Sequence, residues 1–415
     1  MKILLINNIH YIRGGSERIY FETANLLKEA GYEVIFFSTK NEKNIKTEFK
    51  EYFVDDLDYS NVKSNKLFKN IKMLFHSLYS FKVRRALEEV LKKEKPDIAH
   101  IQNIYFWISP SILSLFKKYN VKVVQTLHDY HLMCPNFKFL SHDKICEKCA
   151  NRKFYNCTKN KCIKNSYIYS LASTIEAYFV NGFDFYRKYV DIFIAPSDFL
   201  RNKYIDIGKI DKNKIVTIKN FVDLESNINK EQELDNYILF FGRLAEGKGI
   251  DLLIKSMKYV NNDIKLKIVG DGNYKDNLKQ LCNSLGLESR IEFTGYKEGD
   301  ELNNIINKAR IVLVPSIWYE NCPMVILESF SRKKFVIATD IGAIPEFVKD
   351  NTTGVLFKLN DEKDLALKIN ENYYDKDKIK NIGENAYNYV KIYHNKQYYL
   401  DNILKIYNKL LNENI

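Results

Sequence analysis

Two basic residues follow an apolar run in the second half of the chain and could hold a diphosphate. In the segment YILFFGRLAEGKGIDLLI, Arg243 and Lys248 stand in a glycine-bearing stretch between a predicted strand and a predicted helix. Two cations beside a helix N-terminus form a site suited to phosphate oxygens. They could neutralise a departing diphosphate without a metal ion. Taken alone, the same residues also fit an ordinary solvated loop.

Two carboxylates follow a later apolar run. In ARIVLVPSIWYENCPMVILESF the run delivers Glu320 to its carboxyl end, and Pro323 after Asn321 predicts the start of a helix. Glu328 then lies on the second turn of that helix. The two carboxylates can serve one ligand at different points, a reacting sugar for Glu320 and a ribose diol for Glu328. A plain surface position for Glu328 is the weaker alternative, because its neighbours along the helix are apolar.

Together these two segments resemble glycosyltransferase family 4, the retaining enzymes of the GT-B fold. Members of that family have a Gly-Arg-Leu…Lys-Gly segment and then two glutamates separated by seven residues, in this order. The resemblance implies that Arg243 and Lys248 bind the donor pyrophosphate. It also implies that Glu320 is catalytic, in contact with the donor sugar, and that Glu328 binds the ribose.

The same resemblance implies an activity and its partners. It predicts a hexosyltransferase-type glycosyltransferase that uses a UDP- or GDP-sugar and retains the configuration of the transferred sugar. The acceptor would be a sugar, a lipid-linked molecule or another hydroxyl compound, and the setting would be cell-surface polysaccharide or glycolipid assembly. No cofactor would be required for catalysis.

Three segments of the first half extend the resemblance. In IHYIRGGS the family's equivalent loop lines the active-site cleft, which makes Gly14 an acceptor-side residue and Gly15 a donor pyrophosphate ligand. In QTLHDYHLMCP, His128 matches a catalytic histidine that contacts the donor sugar. In AHIQN, His100 is predicted at a strand end, with a buried structural role as an equal alternative.

Base contacts in the family come from loops that match the ends of two further runs, IVGDG and FTGY. They place Gly270 and Tyr296 in the vicinity of the nucleotide base, although Tyr296 also fits a packing role. Two departures from the family pattern concern the donor sugar. Asn321 and Cys322 stand where the family has Gly and a small or aromatic residue, and Gly247 replaces a commonly acidic residue.

Short apolar runs alternate with helical patterns along the whole chain, which is typical of parallel β-α-β units. The rhythm restarts after about Asp223, so we predict an α/β protein of two Rossmann-like parallel-sheet domains, and the GT-B resemblance has them face each other across a cleft. The first, acceptor-side domain would span 1–221, with a Cys-rich insertion at about 134–165. The donor domain would span 222–388, and a C-terminal helix at 389–415 would pack back on the first domain.

Five of the seven cysteines fall between Cys134 and Cys162. Cys146 and Cys149 have Cys-x-x-Cys spacing, and Cys157 and Cys162 complete a set that could hold a structural zinc. The surrounding segment is basic and poor in apolar residues, so a staple would help to order it. The irregular last spacing leaves the alternative of cysteines without a metal.

The formal charge of +12 belongs entirely to the first half of the chain. Residues 1–210 contain 34 Lys+Arg and 22 Asp+Glu, whereas residues 211–415 contain 30 of each. Within 60–95, ten basic residues and an apolar periodicity predict a basic amphipathic helix, which could rest on an anionic membrane surface. An ordinary helix covering the first sheet is the alternative.

Composition and motifs disfavour other classes of protein. No run approaches the ~20 apolar residues of a membrane span, so we expect a cytoplasmic protein, peripheral at the inner face of the membrane. A nicotinamide-dependent oxidoreductase is disfavoured because no Gly-x-Gly-x-x-Gly follows the first strand. A metal-stapled nucleic-acid-binding protein is disfavoured because the basic residues are dispersed, so we expect no nucleic-acid partner.

Overall fold

The computed structural model describes residues 1–56, 67–224 and 234–412. The chain divides into two compact units. The first unit comprises Met1–Phe139, Cys146–Ile218 and Leu400–Ile415, and the second comprises Leu140–Ile145 and Lys219–Tyr399. No helix in the described ranges combines the length and apolar character needed to cross a membrane.

Each unit is built on a six-stranded, wholly parallel sheet, as the alternating apolar runs predict. Strands such as Ile3–Ile6 and Phe335–Thr339 are buried on both faces, which is the usual state of parallel strands covered by helices. The strands are β1 Lys2–Ile6, β2 Glu33–Phe37, β3 Thr39–Lys40, β4 Val54–Asp55, β5 Ile98–Ile101, β6 Lys122–Thr126, β7 Leu140–Ser141, β8 Lys144–Ile145, β9 Ile192–Ala195, β10 Ile215–Thr217, β11 Tyr237–Phe241, β12 Lys265–Val269, β13 Ile291–Gly295, β14 Ile311–Val314, β15 Phe335–Thr339 and β16 Val355–Phe357.

The helices of the described part connect these strands and cover the sheets. They are α1 Gly15–Glu29, α2 Leu67–Leu78, α3 Phe81–Glu94, α4 Leu113–Lys118, α5 Tyr155–Lys159, α6 Tyr167–Gly182, α7 Phe185–Tyr189, α8 Asp198–Asp206, α9 Ile250–Ser256, α10 Lys275–Ser284, α11 Gly299–Lys308, α12 Met324–Phe330, α13 Ile344–Phe347, α14 Glu362–Tyr373, α15 Lys376–Tyr393 and α16 Lys396–Asn412.

The strand order of each sheet reverses at one point. In the first unit the order is β10-β9-β6-β5-β1-β2, so the chain changes direction between β1 and β5. In the second unit the order is β13-β12-β11-β14-β15-β16, which reverses between β11 and β14. In open parallel sheets, ligands bind beyond the carboxyl ends of the two strands that flank such a reversal. The fold therefore points to the segments after β1 and β5 and after β11 and β14.

The prediction of a single amphipathic helix over 60–95 is wrong for its described residues. Residues 57–66 lie outside the described ranges. Two helices, α2 and α3, are separated at Tyr79–Ser80. The Ser80 hydroxyl accepts a hydrogen bond from the Val83 N–H at 3.3 Å, and so caps α3 as a new helix. The apolar periodicity continued across the break, but the capping serine set the boundary.

The single C-terminal helix predicted at 389–415 is also two helices over its described residues. α15 ends at Tyr393 and α16 begins at Lys396. Between them, buried His394 lies with Nδ1 2.7 Å from the Asn220 carbonyl oxygen, within the second unit. This contact holds the turn between the helices.

Candidate active site

The loop after β11 carries Arg243 and Lys248 at the strand reversal of the second unit. Arg243 is exposed and Lys248 is partly buried. The loop turns into α9 through Gly249, whose φ is +67°. A Cβ there would lie 1.8 Å from the Pro315 carbonyl oxygen, so only glycine fits both the dihedral angle and the space. The segments after β11 and β14 are therefore in direct contact, as the sheet order requires.

Glu320 receives three hydrogen bonds on a single oxygen. Its Oε1 lies 2.7 Å from Lys248 Nζ, and it accepts from Trp318 Nε1 and Ser316 Oγ at 2.7 Å each. The Glu320 side chain is 11% exposed and that of Lys248 is 26% exposed. The pairing places the predicted catalytic carboxylate beside a predicted pyrophosphate ligand, although the two residues are 72 positions apart in the chain.

These neighbours keep the Glu320 carboxylate ionised. Burial alone would raise its pKa, but the Lys248 cation and the hydrogen bonds from Lys248, Trp318 and Ser316 outweigh burial and lower the pKa below its usual value. At neutral pH the side chain is therefore a fixed negative charge and a hydrogen-bond acceptor. It suits contact with sugar hydroxyls or with positive charge that develops on a sugar ring.

Trp318 and Ser316 were not singled out by the sequence, and Trp318 explains one departure from the family pattern. The Lys248 Nζ lies 5.2 Å from the centroid of the Trp318 ring. A Cβ at Gly247 would lie 2.9 Å from this ring, so a larger residue there would displace the indole. Glycine in place of an acidic residue thus gives Trp318 the space from which it donates to Glu320.

Glu328 lies on α12, which begins at Met324 directly after Pro323 and so confirms the predicted helix start. Its side chain is partly exposed, while Ile326 and Leu327 of the same helix are buried. The position suits a carboxylate that accepts hydrogen bonds from a ribose diol. That role stays a prediction.

The two residues predicted near the base follow β12 and β13. The Gly270 N–H donates to the Gly295 carbonyl oxygen at 2.8 Å, at the carboxyl ends of these neighbouring strands. Tyr296 is 67% exposed, and its hydroxyl donates to Glu298 Oε2 at 2.9 Å. Such exposure argues against the packing alternative and leaves the ring accessible for stacking on a base.

In the first unit, Gly14 and Gly15 lie at the start of α1, after β1. Gly14 has an extended backbone with φ of −170° and precedes the helix without a side-chain cap, and Gly15 is exposed. The first N–H groups of a helix have no partner within the helix and are suited to an anion. The acceptor-side role of Gly14 and the pyrophosphate role of Gly15 stay predictions.

His128 and His100 have different surroundings. His128 follows β6 and is partly exposed, with Nε2 2.5 Å from Gln102 Oε1, and burial lowers its pKa to about 4. His100 lies inside β5 and is completely buried, with Nδ1 2.6 Å from the Tyr407 hydroxyl. It fits the structural alternative. The catalytic role of His128 stays a prediction.

A polar network near His128 could not be foreseen from the sequence. The Tyr105 hydroxyl donates to Asp129 Oδ2 at 2.5 Å, and the Tyr105 ring stacks on His131 at 4.0 Å. His131 Nε2 lies 3.1 Å from Glu176 Oε1, and both side chains are almost fully buried. Burial would lower the pKa of His131, but Glu176 outweighs it and raises that pKa. The HDYH segment gave a weak signal, because Asp129 and His131 lie within three residues of His128.

The cysteines of the insertion associate differently from the predicted set. The thiol of Cys134 is hydrogen-bonded to that of Cys149, and Cys157 to Cys162. None of the seven cysteines, all of which lie in the described ranges, forms a disulfide. In the described part of the chain, no three His, Cys, Asp or Glu side chains converge in a way that could hold a metal ion. The structural zinc on Cys146, Cys149, Cys157 and Cys162 therefore stays a prediction. In the structure, Cys149 is paired with Cys134, which was not in the predicted set.

Comparison with known proteins covers most of the chain. The model of Glycosyltransferase Family 4 matches residues 13–226, just over half of the chain, and that of Glycosyl transferases group 1 matches residues 222–389. An uncharacterised protein in the cps region of Klebsiella pneumoniae is 28% identical over 358 residues, which are 83% of this chain and 87% of that protein.

Solved structures share the fold. Sucrose-phosphate synthase from Thermosynechococcus elongatus is 18% identical with a TM-score of 0.72, over 99% of both chains. Anabaena Alr3699/HepE in complex with UDP and glucose is 17% identical with a TM-score of 0.68, over 99% of this chain and all of that one. At these identities the likeness concerns the fold alone. With the two sheets, the strand-end residues and the two matching family models in place, the chain belongs to glycosyltransferase family 4 and is a glycosyltransferase of the GT-B type.

Proposed function

We propose that this glycosyltransferase moves a hexosyl group from a UDP- or GDP-sugar to an acceptor hydroxyl with retention of configuration. The observation that carries the proposal is the ion pair between Lys248 and Glu320, 2.7 Å long, at the strand reversal of the second unit. One partner suits the leaving phosphate and the other suits the sugar. A nucleoside diphosphate sugar is the ligand in which these two groups are adjacent.

Lys248 and Arg243 would stabilise the leaving group. When the bond between the anomeric carbon and the phosphate oxygen breaks, negative charge grows on the diphosphate, and two cations held nearby lower the energy of that charge. Lys248 is held in position by Glu320 and by the Trp318 ring. Little reorganisation is then needed when the phosphate arrives.

Glu320 and Glu328 would hold the two ends of the donor. Glu320 is ionised and has one oxygen saturated by protein donors, so sugar hydroxyls are natural partners for the rest of the carboxylate. Glu328, on α12, would accept from the ribose hydroxyls. No metal ion is needed for either contact.

We base the proposal of retention on the resemblance to the retaining enzymes of the family, and on no single side chain. The acceptor hydroxyl would attack the anomeric carbon from the face that the diphosphate leaves. A new C–O bond forms, the bond to phosphate breaks, and the acceptor proton passes to a phosphate oxygen. The part of this chain is to hold the diphosphate and the sugar in place during that exchange.

The donor class and the setting draw support from relatives. HepE was solved with UDP and glucose, which favours a UDP-sugar here as the first donor to try. The Klebsiella relative lies in a cps region, and the setting that we propose is cell-surface polysaccharide or glycolipid assembly. We extend the proposal to a lipid-linked acceptor met at the cytoplasmic face of a membrane.

Nucleotide binding is the first test. UDP, GDP, ADP and their common sugar conjugates are added to the wild type in thermal-shift and calorimetric assays, with EDTA present and absent. A ligand that binds the folded protein raises its melting temperature by mass action, so micromolar affinity is detectable. We expect one nucleotide class to stabilise the protein irrespective of EDTA. NMR of the product then measures the configuration at the transferred sugar, which we expect to be retained.

Lys248→Ala and Lys255→Ala form a matched pair for that test. Both lysines belong to the segment from β11 to α9, but Lys255 pairs with Asp251 on α9 at 3.7 Å. We expect nucleotide stabilisation to disappear in Lys248→Ala and to persist in Lys255→Ala. Equal stabilisation in both variants would remove the diphosphate role of Lys248, and no response from any nucleotide would overturn the donor assignment.

A further inference from the structure

Helix α6 of the first unit buries mainly polar residues and exposes apolar ones. Ile168 is 67% exposed and Leu171 is 49% exposed, and they recur at helical spacing with other exposed apolar residues. The exposed residues are Tyr167, Ile168, Leu171, Ile175 and Tyr178. The buried face includes Ser170, Ser173, Thr174, Glu176 and Asn181.

The buried polar face has partners that keep it in place. Thr174 Oγ1 donates to the Phe154 carbonyl oxygen at 3.3 Å, and the Ile163 N–H donates to Ser170 Oγ at 3.0 Å. Both partners belong to the Cys-rich segment that precedes the helix. Glu176 pairs with His131, three residues after His128. Turning the apolar face inward would break all these contacts, so its exposure is fixed by the fold.

The charge around α6 is one-sided. Between Tyr167 and Gly182 the sequence contains a single Asp, Glu, Lys, Arg or His residue, Glu176, which is buried, so the outer face carries no charge. Three lysines directly precede the helix: Lys159, Lys161 and Lys164. The Lys161 Nζ lies 4.4 Å from the centroid of the Tyr167 ring, which places a cation beside the exposed aromatic residue.

The neighbouring elements expose further aromatic rings. Helix α2 packs against α6 and exposes Phe75 by 65%. Phe183, directly after α6, is 64% exposed. Exposed apolar side chains scattered singly are ordinary on a protein surface, but a helix face of this extent marks an interaction site.

We propose that the outer face of α6 docks on an anionic lipid bilayer. Ile168, Leu171 and Ile175 enter the boundary between headgroups and acyl chains, and Tyr167 and Tyr178 lie at the headgroup level. The preceding lysines contact the anionic headgroups. This proposal rests on the peripheral membrane location of the proposed function, and it assigns that location to α6 and the adjacent Phe75 rather than to a single basic helix over 60–95.

An anionic bilayer suits this surface better than a second copy of the chain. The first half of the sequence has 34 basic and 22 acidic residues, so two copies meeting through this unit would repel each other. A bilayer that contains anionic lipid satisfies the apolar face and the lysines together. The inner face of α6 holds the loop after His128, so docking would bring that loop close to lipid-linked molecules.

Vesicle sedimentation tests the proposal with the full chain. Wild type and the double variant Ile168→Glu with Leu171→Glu are mixed with vesicles of phosphatidylcholine and phosphatidylglycerol, or of phosphatidylcholine alone. Both side chains are exposed, so the variant should fold as the wild type does. We expect the wild type to prefer the anionic vesicles in a salt-dependent manner, and the variant to bind them at least about tenfold more weakly.

Leu367→Glu is the matched control, because Leu367 is 50% exposed on α14 of the second unit. It should bind vesicles as the wild type does. Undiminished vesicle binding by the double variant would overturn the α6 assignment. So would a wild type that binds no vesicles but forms a dimer in light scattering that the double variant does not form. Thermal shifts with nucleotides, measured on the same proteins, report the proposed function separately: the α6 variant should keep them.

Discussion

The strand-end segments of the two units have opposite character. In the second unit, the segments after β11 and β14 bring together a partly exposed lysine and a carboxylate, Lys248 and Glu320. In the first unit, the segments after β5 and β6 hold neutral or fully enclosed groups, such as Gln102 beside His128 and the buried pair of His131 with Glu176. The charged groups of the second unit are available to a ligand, whereas those of the first unit hold a loop in place.

The buried pair in the first unit should show the largest effect, and on stability. Glu176→Ala removes the partner of the buried His131 Nε2, the group that raises the pKa of this histidine, and loss of one member of a buried pair typically costs about 3–5 kcal/mol of unfolding free energy. Urea denaturation measures the change. The matched control is Glu22→Ala on α1, whose partner Arg18 lies 3.2 Å away in an exposed pair, and which should cost about 0.5 kcal/mol or less. Equal costs would mean that the buried pair does not secure the loop.

Glu320→Gln should show the next effect, on activity rather than stability. The amide keeps the shape of the side chain and an oxygen for Ser316 and Trp318, but it removes the negative charge. We expect kcat to fall by about 10²–10³-fold, the range for loss of one electrostatic contact in a transition state. Glu384→Gln is the control, since Glu384 forms an exposed pair with Lys333 in the same unit. Wild-type turnover in Glu320→Gln would refute the catalytic role.

How much could be predicted from the sequence follows from the same contrast. The second-unit site uses two continuous segments, and their resemblance to the family was what indicated Arg243, Lys248, Glu320 and Glu328; the structure brings Lys248 and Glu320 together, and the four roles stay predictions. The alternating apolar runs likewise predicted both parallel sheets. The role of Trp318 was not visible, because it depends on the absence of a side chain at Gly247, 71 positions earlier in the chain.

The first-unit network could not be predicted in the same way. Its members come from the ends of β5 and β6 and from α6, and nothing in the sequence near Glu176 reveals that this residue turns inward to His131. The helix break at Ser80 was hidden for a different reason. Apolar periodicity persists on both sides of it, and a single capping hydroxyl decides where α3 begins.

Two glycines of the second unit offer a closer test of how the charged site is built. Gly249 and Gly286 have similar φ angles, +67° and +64°, but a Cβ meets the Pro315 carbonyl oxygen only at Gly249. Gly286→Ala should cost about 1–2 kcal/mol for the left-handed conformation. Gly249→Ala should cost about 1–3 kcal/mol more, because the Pro315 carbonyl must move.

Denaturation curves measure the unfolding free energy of both glycine variants. Nucleotide thermal shifts measure whether each substitution also weakens nucleotide binding. Displacing Pro315 disturbs the segment that carries Glu320, so Gly249→Ala should also weaken nucleotide stabilisation, while Gly286→Ala should retain it. Similar behaviour of the two variants in both assays would show that contact between the segments after β11 and β14 does not position the charges.

Per pH unit, the smallest effect is a pH dependence of the unfolding free energy, which arises mainly from buried histidines of the first unit. Burial lowers the pKa of His100 to about 3 and that of His128 to about 4, from an ordinary value of 6.5. Below pH 6.5 the unfolded chain therefore binds protons that the folded chain does not, and the unfolding free energy falls as the pH falls. Each such histidine contributes a slope of up to about 1.4 kcal/mol per pH unit.

The variant His100→Gln separates this effect from general acid denaturation. The variant lacks one buried histidine of the first unit. Its unfolding free energy should therefore fall less steeply than that of the wild type as the pH falls from 6.5 to 4. His131 acts in the opposite direction, because its raised pKa gives stability below pH 6.5 that is lost as the pH rises through the folded value. Urea denaturation across this range measures both slopes. Parallel plots of unfolding free energy against pH for wild type and His100→Gln would mean that His100 is protonated equally in the folded and unfolded chains. His100 would then be more accessible to solvent than its hydrogen bonds indicate.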